Sequence, residues 1–316
     1  MVIKVAIIGC GAIGLRHFQS IYNQADESVN IDIFDVDKTK LESIKSVIDK
    51  ENPLVQYQFN QTIDIAKNNY HVAIVATTAS YRLAALDEFL THHNVENIIL
   101  EKVVFNKKEH FLAFESSHPN LLKNTYVNCN LRSTEFYMSL KNEITDKENL
   151  VSFEVQGKSW GLGCNTIHFL DLFSFLIDDV EIESMRSHVS DIVPAKRTSY
   201  VEFLGTIEGS AKNKDFVFKC ESGDFELKIK INTNKNLYKF NDTSNGLLVE
   251  SSNPKFNNLN IKMPFQSQMT YQVIKSLYIK DGCNLPLYEV SRDLHVQMLD
   301  AFFNEIKSEN DFCNIT

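Results

Sequence analysis

The feature that most narrows the fold is a glycine turn near the amino terminus. Residues 2–8 form an apolar run broken only by Lys4, Gly9-Cys10-Gly11-Ala12-Ile13-Gly14 follows at once, and a helical pattern runs on from Ile13 to Tyr22. Strand, Gly-x-Gly-x-x-Gly and helix in that order form the crevice that cradles a dinucleotide. Gly9 permits the tight turn, Gly11 admits a pyrophosphate against the backbone, and Gly14 lets the helix close onto the strand. The helix amino terminus at Ala12 and Ile13 offers N–H groups without intrahelical partners to the anion.

Short apolar runs alternate with helical patterns as far as about residue 128, at 2–8, 31–35, 55–59, 72–76, 98–101 and 126–128. The run at 72–76 is apolar throughout, and that at 2–8 but for Lys4, as strands are when helices cover both faces of a parallel sheet. The expectation is a Rossmann-type, doubly wound α/β domain. Its second strand ends at Asp35, whose carboxylate suits a ribose diol and repels a 2′-phosphate, favouring NAD over NADP. Asp35 and Asp37 are equally suited to capping the next helix.

After residue 148 the period changes to two. Phe225, Leu227, Ile229 and Ile231 alternate with Glu226, Lys228 and Lys230, and 200–207, 216–220 and 237–240 read similarly, so an antiparallel sheet with one open face is expected. A helix over 165–177 packs one side of it, and two more close the chain at about 265–279 and 291–307. At 316 residues, two domains are the natural division. We place them at 1–123, for the nucleotide, and 124–316, an α+β domain with a large, mostly antiparallel sheet for substrate binding and oligomerisation.

The formal charge of −9 and the absence of basic runs exclude nucleic acid and anionic membranes as partners. The apolar run at 2–8 is too short to span a bilayer. Six scattered cysteines, with no Cys-x-x-Cys pair, fit thiols of a reducing, cytoplasmic compartment and predict no metal site. Were the open sheet face apolar, a homodimer or homotetramer would cover it.

Ala73-Ile74-Val75-Ala76-Thr77-Thr78, then Ile99-Leu100-Glu101-Lys102-Val103, and then Cys164-x-x-x-His168-x-x-Asp171 resemble, in order, motifs of the Gfo/Idh/MocA oxidoreductases. The resemblance spans nearly the whole chain, including the closing Leu285-Pro286-Leu287 and its helix. Residues 160–168 resemble a branch associated with polysaccharide biosynthesis, pointing to a sugar or nucleotide-sugar substrate. Family members carry proline where this chain has Val103, aspartate where it has Cys164, and often histidine where it has Arg82. The resemblance implies cofactor contacts from Thr77, Thr78, Arg82 and Glu101.

Oxidising a secondary alcohol needs a hydride acceptor and a base for the hydroxyl proton. Lys102, ending a parallel strand, and His168 are the candidates for the second role, with Asp171 on the same helix face to orient the imidazole. Arg132, Trp160, Cys164 and Asn165, with Tyr126 and Asn128, are candidate substrate contacts. Three have a plain alternative: an ion pair for Arg132, core packing for Trp160 and a helix cap for Asn165. Because cis bonds are rare before residues other than proline, the Lys102–Val103 bond is expected to be trans. The implied activity is NAD(H)-dependent hydroxyl/keto interconversion; a redox-neutral epimerase or lyase holding NAD tightly, or a non-catalytic NAD-binding protein, also fits these residues.

Overall fold

The structure is a computed structural model describing residues 2–48, 50–179, 181–243, 246–306 and 313–316. Backbone packing divides it into two units. The first comprises Met1–Phe105, Leu112–Asn128 and Pro264–Tyr288; the second comprises Asn106–Phe111, Cys129–Met263 and Glu289–Thr316.

In chain order the amino-terminal elements are β1 (Ile3–Ile8), α1 (Ala12–Gln24), β2 (Val29–Phe34), α2 (Lys38–Ser43), β3 (Val55–Asn60), β4 (Asn69–Val75), α3 (Ala79–His92), β5 (Asn94–Leu100), α4 (Lys108–Ser117) and β6 (Thr125–Val127). All six strands are parallel, in the order β3-β2-β1-β4-β5-β6. That is the doubly wound order, with its switch point between β1 and β4, where ligands bind beyond the carboxyl ends of the strands. The in-out alternation of a half-exposed strand is absent from β1: Val5, Ala6 and Ile7 are all fully buried, as helices on both faces require.

The second unit contains α5 (Glu135–Lys147), β7 (Leu150–Lys158), α6 (Leu162–Ile177), β8 (Ser184–Pro194), β9 (Val201–Ala211), β10 (Lys214–Glu221), β11 (Glu226–Thr233), β12 (Leu237–Thr243), β13 (Gly246–Ser251) and β14 (Leu259–Ile261). The sheet runs β14-β13-β12-β11-β7-β10-β9-β8, and only β7 with β10 is a parallel pair. Helix α6 covers one face through aromatic rings, Phe173 lying 5.2 Å from Phe216 and Phe169 lying 5.9 Å from Phe218. Fully burying such a ring contributes roughly 1.5–3 kcal/mol, so this stack anchors the helix.

Two elements finish the chain, α7 (Thr270–Tyr278) and α8 (Tyr288–Ile306); Lys307, expected to end the last helix, lies outside the described residues. The sequence reading divides the chain once, between 123 and 124, whereas Pro264–Tyr288 returns to the first unit. Tyr271, Ile274 and Leu277 on α7 join Phe18 and Ile21 of α1 in one buried cluster, and that apolar stripe is the reason for the return.

The open face of the second sheet is polar rather than apolar. Ser152, Glu154 and Gln156 of β7 lie opposite Asn232, Lys230 and Lys228 of β11. Lys230 pairs with Glu154 at 2.9 Å and Arg186 with Glu208 at 2.6 Å. Alternation with charged residues gives a face that water and ion pairs already satisfy, so no apolar patch requires covering there.

Candidate active site

In the first unit, the carboxyl ends of β1, β2, β4 and β5 bring the glycine turn, Asp35, Thr77 and Lys102 to one edge of the sheet. Gly9 has φ +93°, and a Cβ there would lie 2.7 Å from Thr77 N. At Gly14 a Cβ would meet Gly9 O at 2.0 Å. Gly11 differs from both, because a Cβ would find nothing within 4 Å. Gly9 and Gly14 are therefore glycine for internal packing, while Gly11 keeps an open space over the helix end clear. Gly11 is also the N-cap of α1, with no side-chain cap and no acidic residue in the first turn, so the N–H groups around Ala12 and Ile13 are left to an anion.

Asp35 is bound into this turn. Its Oδ2 accepts from Cys10 N at 2.7 Å and its Oδ1 from Asp37 N at 2.9 Å, while Asp37 takes the capping role, accepting from Thr39 N. Burial, with the Asp35 charge beside it, pushes the Cys10 thiol up to about 12. The Thr77 hydroxyl is buried and takes no hydrogen bond among the described residues, and Thr78 caps α3 without a side-chain bond. An open cradle, an uncapped helix end and an orphaned hydroxyl fit a dinucleotide.

Lys102, partly exposed, lies two residues past the end of β5. Its peptide bond to Val103 is cis, not trans as the sequence reading expects. Beside this bond Arg82, only 1% exposed, donates from Nη1 to Val103 O and, at 2.7 Å, to Val104 O, and from Nη2 to Thr77 O. Arg82 thus ties the segments after β4 and β5 together through their carbonyls, whereas the sequence reading expects it at the cofactor.

Glu101 faces inward. Its Oε1 accepts from His17 Nε2 at 2.9 Å and from Asn128 Nδ2. Burial raises the carboxyl, but the hydrogen bond and charge of His17, with Asn128 and the Arg82 charge, outweigh it and hold the group at about 2. No hydrogen bond reaches its Oε2 among the described residues.

In the second unit, α6 carries the other cluster. The helix begins at Leu162, three residues before the expected start, so His168 stands in the second turn and not the first. Gly161 is the N-cap, in the left-handed region at φ 86°, and Asn165 is no cap: its Nδ2 donates to Trp160 O at 2.6 Å. Glu202 of β9 caps from a distance, accepting from Gly163 N at 2.8 Å and Cys164 N at 3.3 Å. Cys164, Asn165 and His168 are the partly exposed positions of a helix otherwise buried through Ser174. Asp171, one turn past His168, is fully buried and receives Arg132 Nη1 at 3.0 Å, while the guanidinium lies 4.5 Å from the Phe175 ring centre. Burial raises Asp171 to about 7 despite the Arg132 charge and hydrogen bond, and its Oδ2 has no partner among the described residues. Trp160 is core: 4% exposed, it packs edge-on to Phe169 and donates from Nε1 to Lys219 O at 2.8 Å.

No protein-family model matches the chain, and no curated protein sequence does. Solved structures do. Myo-inositol dehydrogenase from Lactobacillus casei, in complex with NAD(H) and myo-inositol, is 14% identical with a TM-score of 0.71, over 98% of this chain and 96% of that one. GenD2 from gentamicin A biosynthesis, in complex with NAD, is 12% identical at 0.70, over 96% and 94%. UDP-N-acetylglucosamine 3-dehydrogenase GnnA from Acidithiobacillus ferrooxidans is 11% identical at 0.68, over 95% and 97%. This chain shares their fold.

Sequence reasoning missed His17, Gln266, Thr270 and Glu202. A signal existed only for His17, a polar residue beside Phe18 and Ile21 on the buried side of α1. Glu202, Gln266 and Thr270 act across tens to hundreds of residues, beyond any local pattern. No helix among the described residues is long and apolar enough to cross a membrane.

Proposed function

We propose that this chain is an NAD(H)-dependent oxidoreductase of the Gfo/Idh/MocA kind, interconverting a hydroxyl and a keto group on a sugar, inositol or nucleotide-activated sugar. The observation that carries the reading is the sheet edge at the switch point, where the space beside Gly11, the uncapped end of α1 and the lone Thr77 hydroxyl meet the turn bearing Lys102. NAD, when bound, supplies the hydride acceptor. The amides from Gly9 to Gly14 bind the pyrophosphate, Asp35 takes the ribose diol, and Thr77, Thr78 and the open Glu101 Oε2 hold the nicotinamide half.

The alcohol proton is assigned to Lys102 and His168. Lys102 stabilises the developing alkoxide, and the imidazole of His168 takes or returns the proton. Cys164 and Asn165, partly exposed beside His168 on α6, contact the sugar hydroxyls. Arg132 reaches the site through Asp171, fixing that helix face. A cytoplasmic location rests on the six scattered cysteines. Assembly as a homodimer or homotetramer is part of the proposal, and the mass of the protein in solution tests it.

The test is turnover. Inositols, hexoses and nucleotide sugars incubated with NAD+ or NADH should change the absorbance of reduced nicotinamide, and Lys102→Ala should slow the active pair by about 10²–10⁴-fold. No change with any member, or an unimpaired Lys102→Ala, overturns the reading.

A further inference from the structure

The buried group left without a role is His17. It sits on α1 three residues past Gly14 and is 1% exposed. A histidine with both ring nitrogens inside a core is held there by partners, because a buried polar group left unpaired is destabilising. Both nitrogens are satisfied: Nε2 meets Glu101 Oε1 at 2.9 Å, and Nδ1 meets Thr270 Oγ1 at 2.8 Å.

The bonds close into a ring. From Glu101 Oε1 the path runs to Asn128 Nδ2, from there to Gln266 Oε1 at 2.8 Å, from Gln266 Nε2 to Thr270 Oγ1 at 2.9 Å, and back to His17. His17, Glu101, Asn128 and Thr270 are at most 6% exposed, so the ring is shielded from water on all sides but that of the partly exposed Gln266. It joins the helix that starts at the glycine turn, the ends of β5 and β6, and the segment leading into α7. All four belong to the first unit. Rings of this kind are stronger than their separate bonds where water is excluded, and they select one arrangement of their members.

We propose that His17 is a positioning residue that couples the cofactor helix to the catalytic turn. By holding Oε1 of Glu101, it fixes both the direction of Oε2 and the start of the turn that carries Lys102. Cofactor seated on α1 and the lysine that follows Glu101 are then set by the same imidazole. The depressed carboxyl of Glu101 agrees with this, since the ring supports the charged form. The inference rests on the reading that α1 binds NAD.

The experiment measures NADH affinity by fluorescence titration, together with thermal stability, for the wild type, His17→Ala, His17→Gln, Glu101→Gln and Thr270→Val. His17→Ala and Glu101→Gln should each weaken NADH by about tenfold or more. Their combination should be no weaker than the worse single variant, because both break one link. His17→Gln, which keeps a donor near the Nε2 position, should recover most of the affinity, and Thr270→Val should fall between. With an active substrate in hand, the losses should appear in kcat while the sugar KM stays within about twofold.

A helix-packing role alone would lower stability in His17→Ala without moving NADH affinity in the variants that stay folded, and that result overturns the inference. Additive losses in the double variant do the same. If His17→Ala does not fold, the Gln and Thr270→Val variants carry the comparison, and wild-type affinity in both rejects it. A wild type that binds no NADH refutes the functional reading itself, which separates the two failures.

Discussion

Two buried carboxylates, one in each unit, come to rest at opposite ends of the titration range. Glu101 is held at about 2, whereas Asp171 is raised to about 7. Both lose water and both have a cationic neighbour. They differ in what supports the charge: Glu101 Oε1 takes hydrogen bonds from His17 and Asn128, while Asp171 has Arg132 on one oxygen and no partner on the other among the described residues. Desolvation is overcome only where several donors converge on the ionised form. The first unit therefore keeps a fixed negative charge beside the Lys102 turn, and the second keeps a proton within reach of neutral pH on the helix face of His168.

The same contrast separates the regions around them. The glycine edge is closed by backbone contacts, which leave no slack, while the α6 face is closed by side chains from distant segments. Gly14→Ala tests the first most severely. Its Cβ would sit 2.0 Å from Gly9 O, so the variant should lose more than about 4 kcal/mol or fail to fold, as read by urea unfolding. A stable Gly14→Ala protein would show that the turn yields.

Asp171→Asn probes the second region. Because the folded carboxyl at about 7 lies above its ordinary 3.8, its contribution to stability is complete below pH 3.8 and is lost as pH rises to 7. The amide still accepts from Arg132 and cannot ionise. The variant should gain on the wild type by up to about 4 kcal/mol between pH 4 and 7 and level off above that. A pH-independent difference would mean that Asp171 ionises as easily as an exposed carboxylate.

Glu101→Gln should have the opposite sign. A carboxyl lowered from 4.5 to about 2 stabilises the fold above pH 4.5 and loses that contribution as pH falls toward 2. The variant should be less stable than the wild type by about 3 kcal/mol at neutral pH, with the gap closing in acid. If the gap stays open at pH 2, charge is not what the ring around His17 supports. The smallest change in stability belongs to Gly11→Ala, whose Cβ enters open space. Its unfolding free energy should stay within about 0.5 kcal/mol of wild type while NADH affinity falls, and unchanged affinity would remove Gly11 from the cofactor site.

Chain order and local pattern were enough for much of the architecture. Short, mostly apolar strands, three glycines at fixed spacing and a period-two stretch in the second half specify a doubly wound sheet followed by an antiparallel one, because strand burial and tight turns depend on neighbours a few residues away. The positions of Lys102 after β5 and of His168 on α6 were legible for the same reason, each belonging to a short motif on a single element. Less legible were β7, β8, β13, β14 and α5, whose patterns mix polar and apolar residues.

Tertiary structure alone decided the rest. That Arg82 donates to the carbonyls of Val103 and Val104, and that α6 starts at 162 rather than 165, depend on pairing with residues distant in the chain, the second on Glu202. So does the state of each buried carboxylate, since a pKa is set by the donors and water around a group and not by its position in the sequence. Local residues determined which elements form; the long-range hydrogen bonds, which form only when those elements pack, determined what the side chains on them can do.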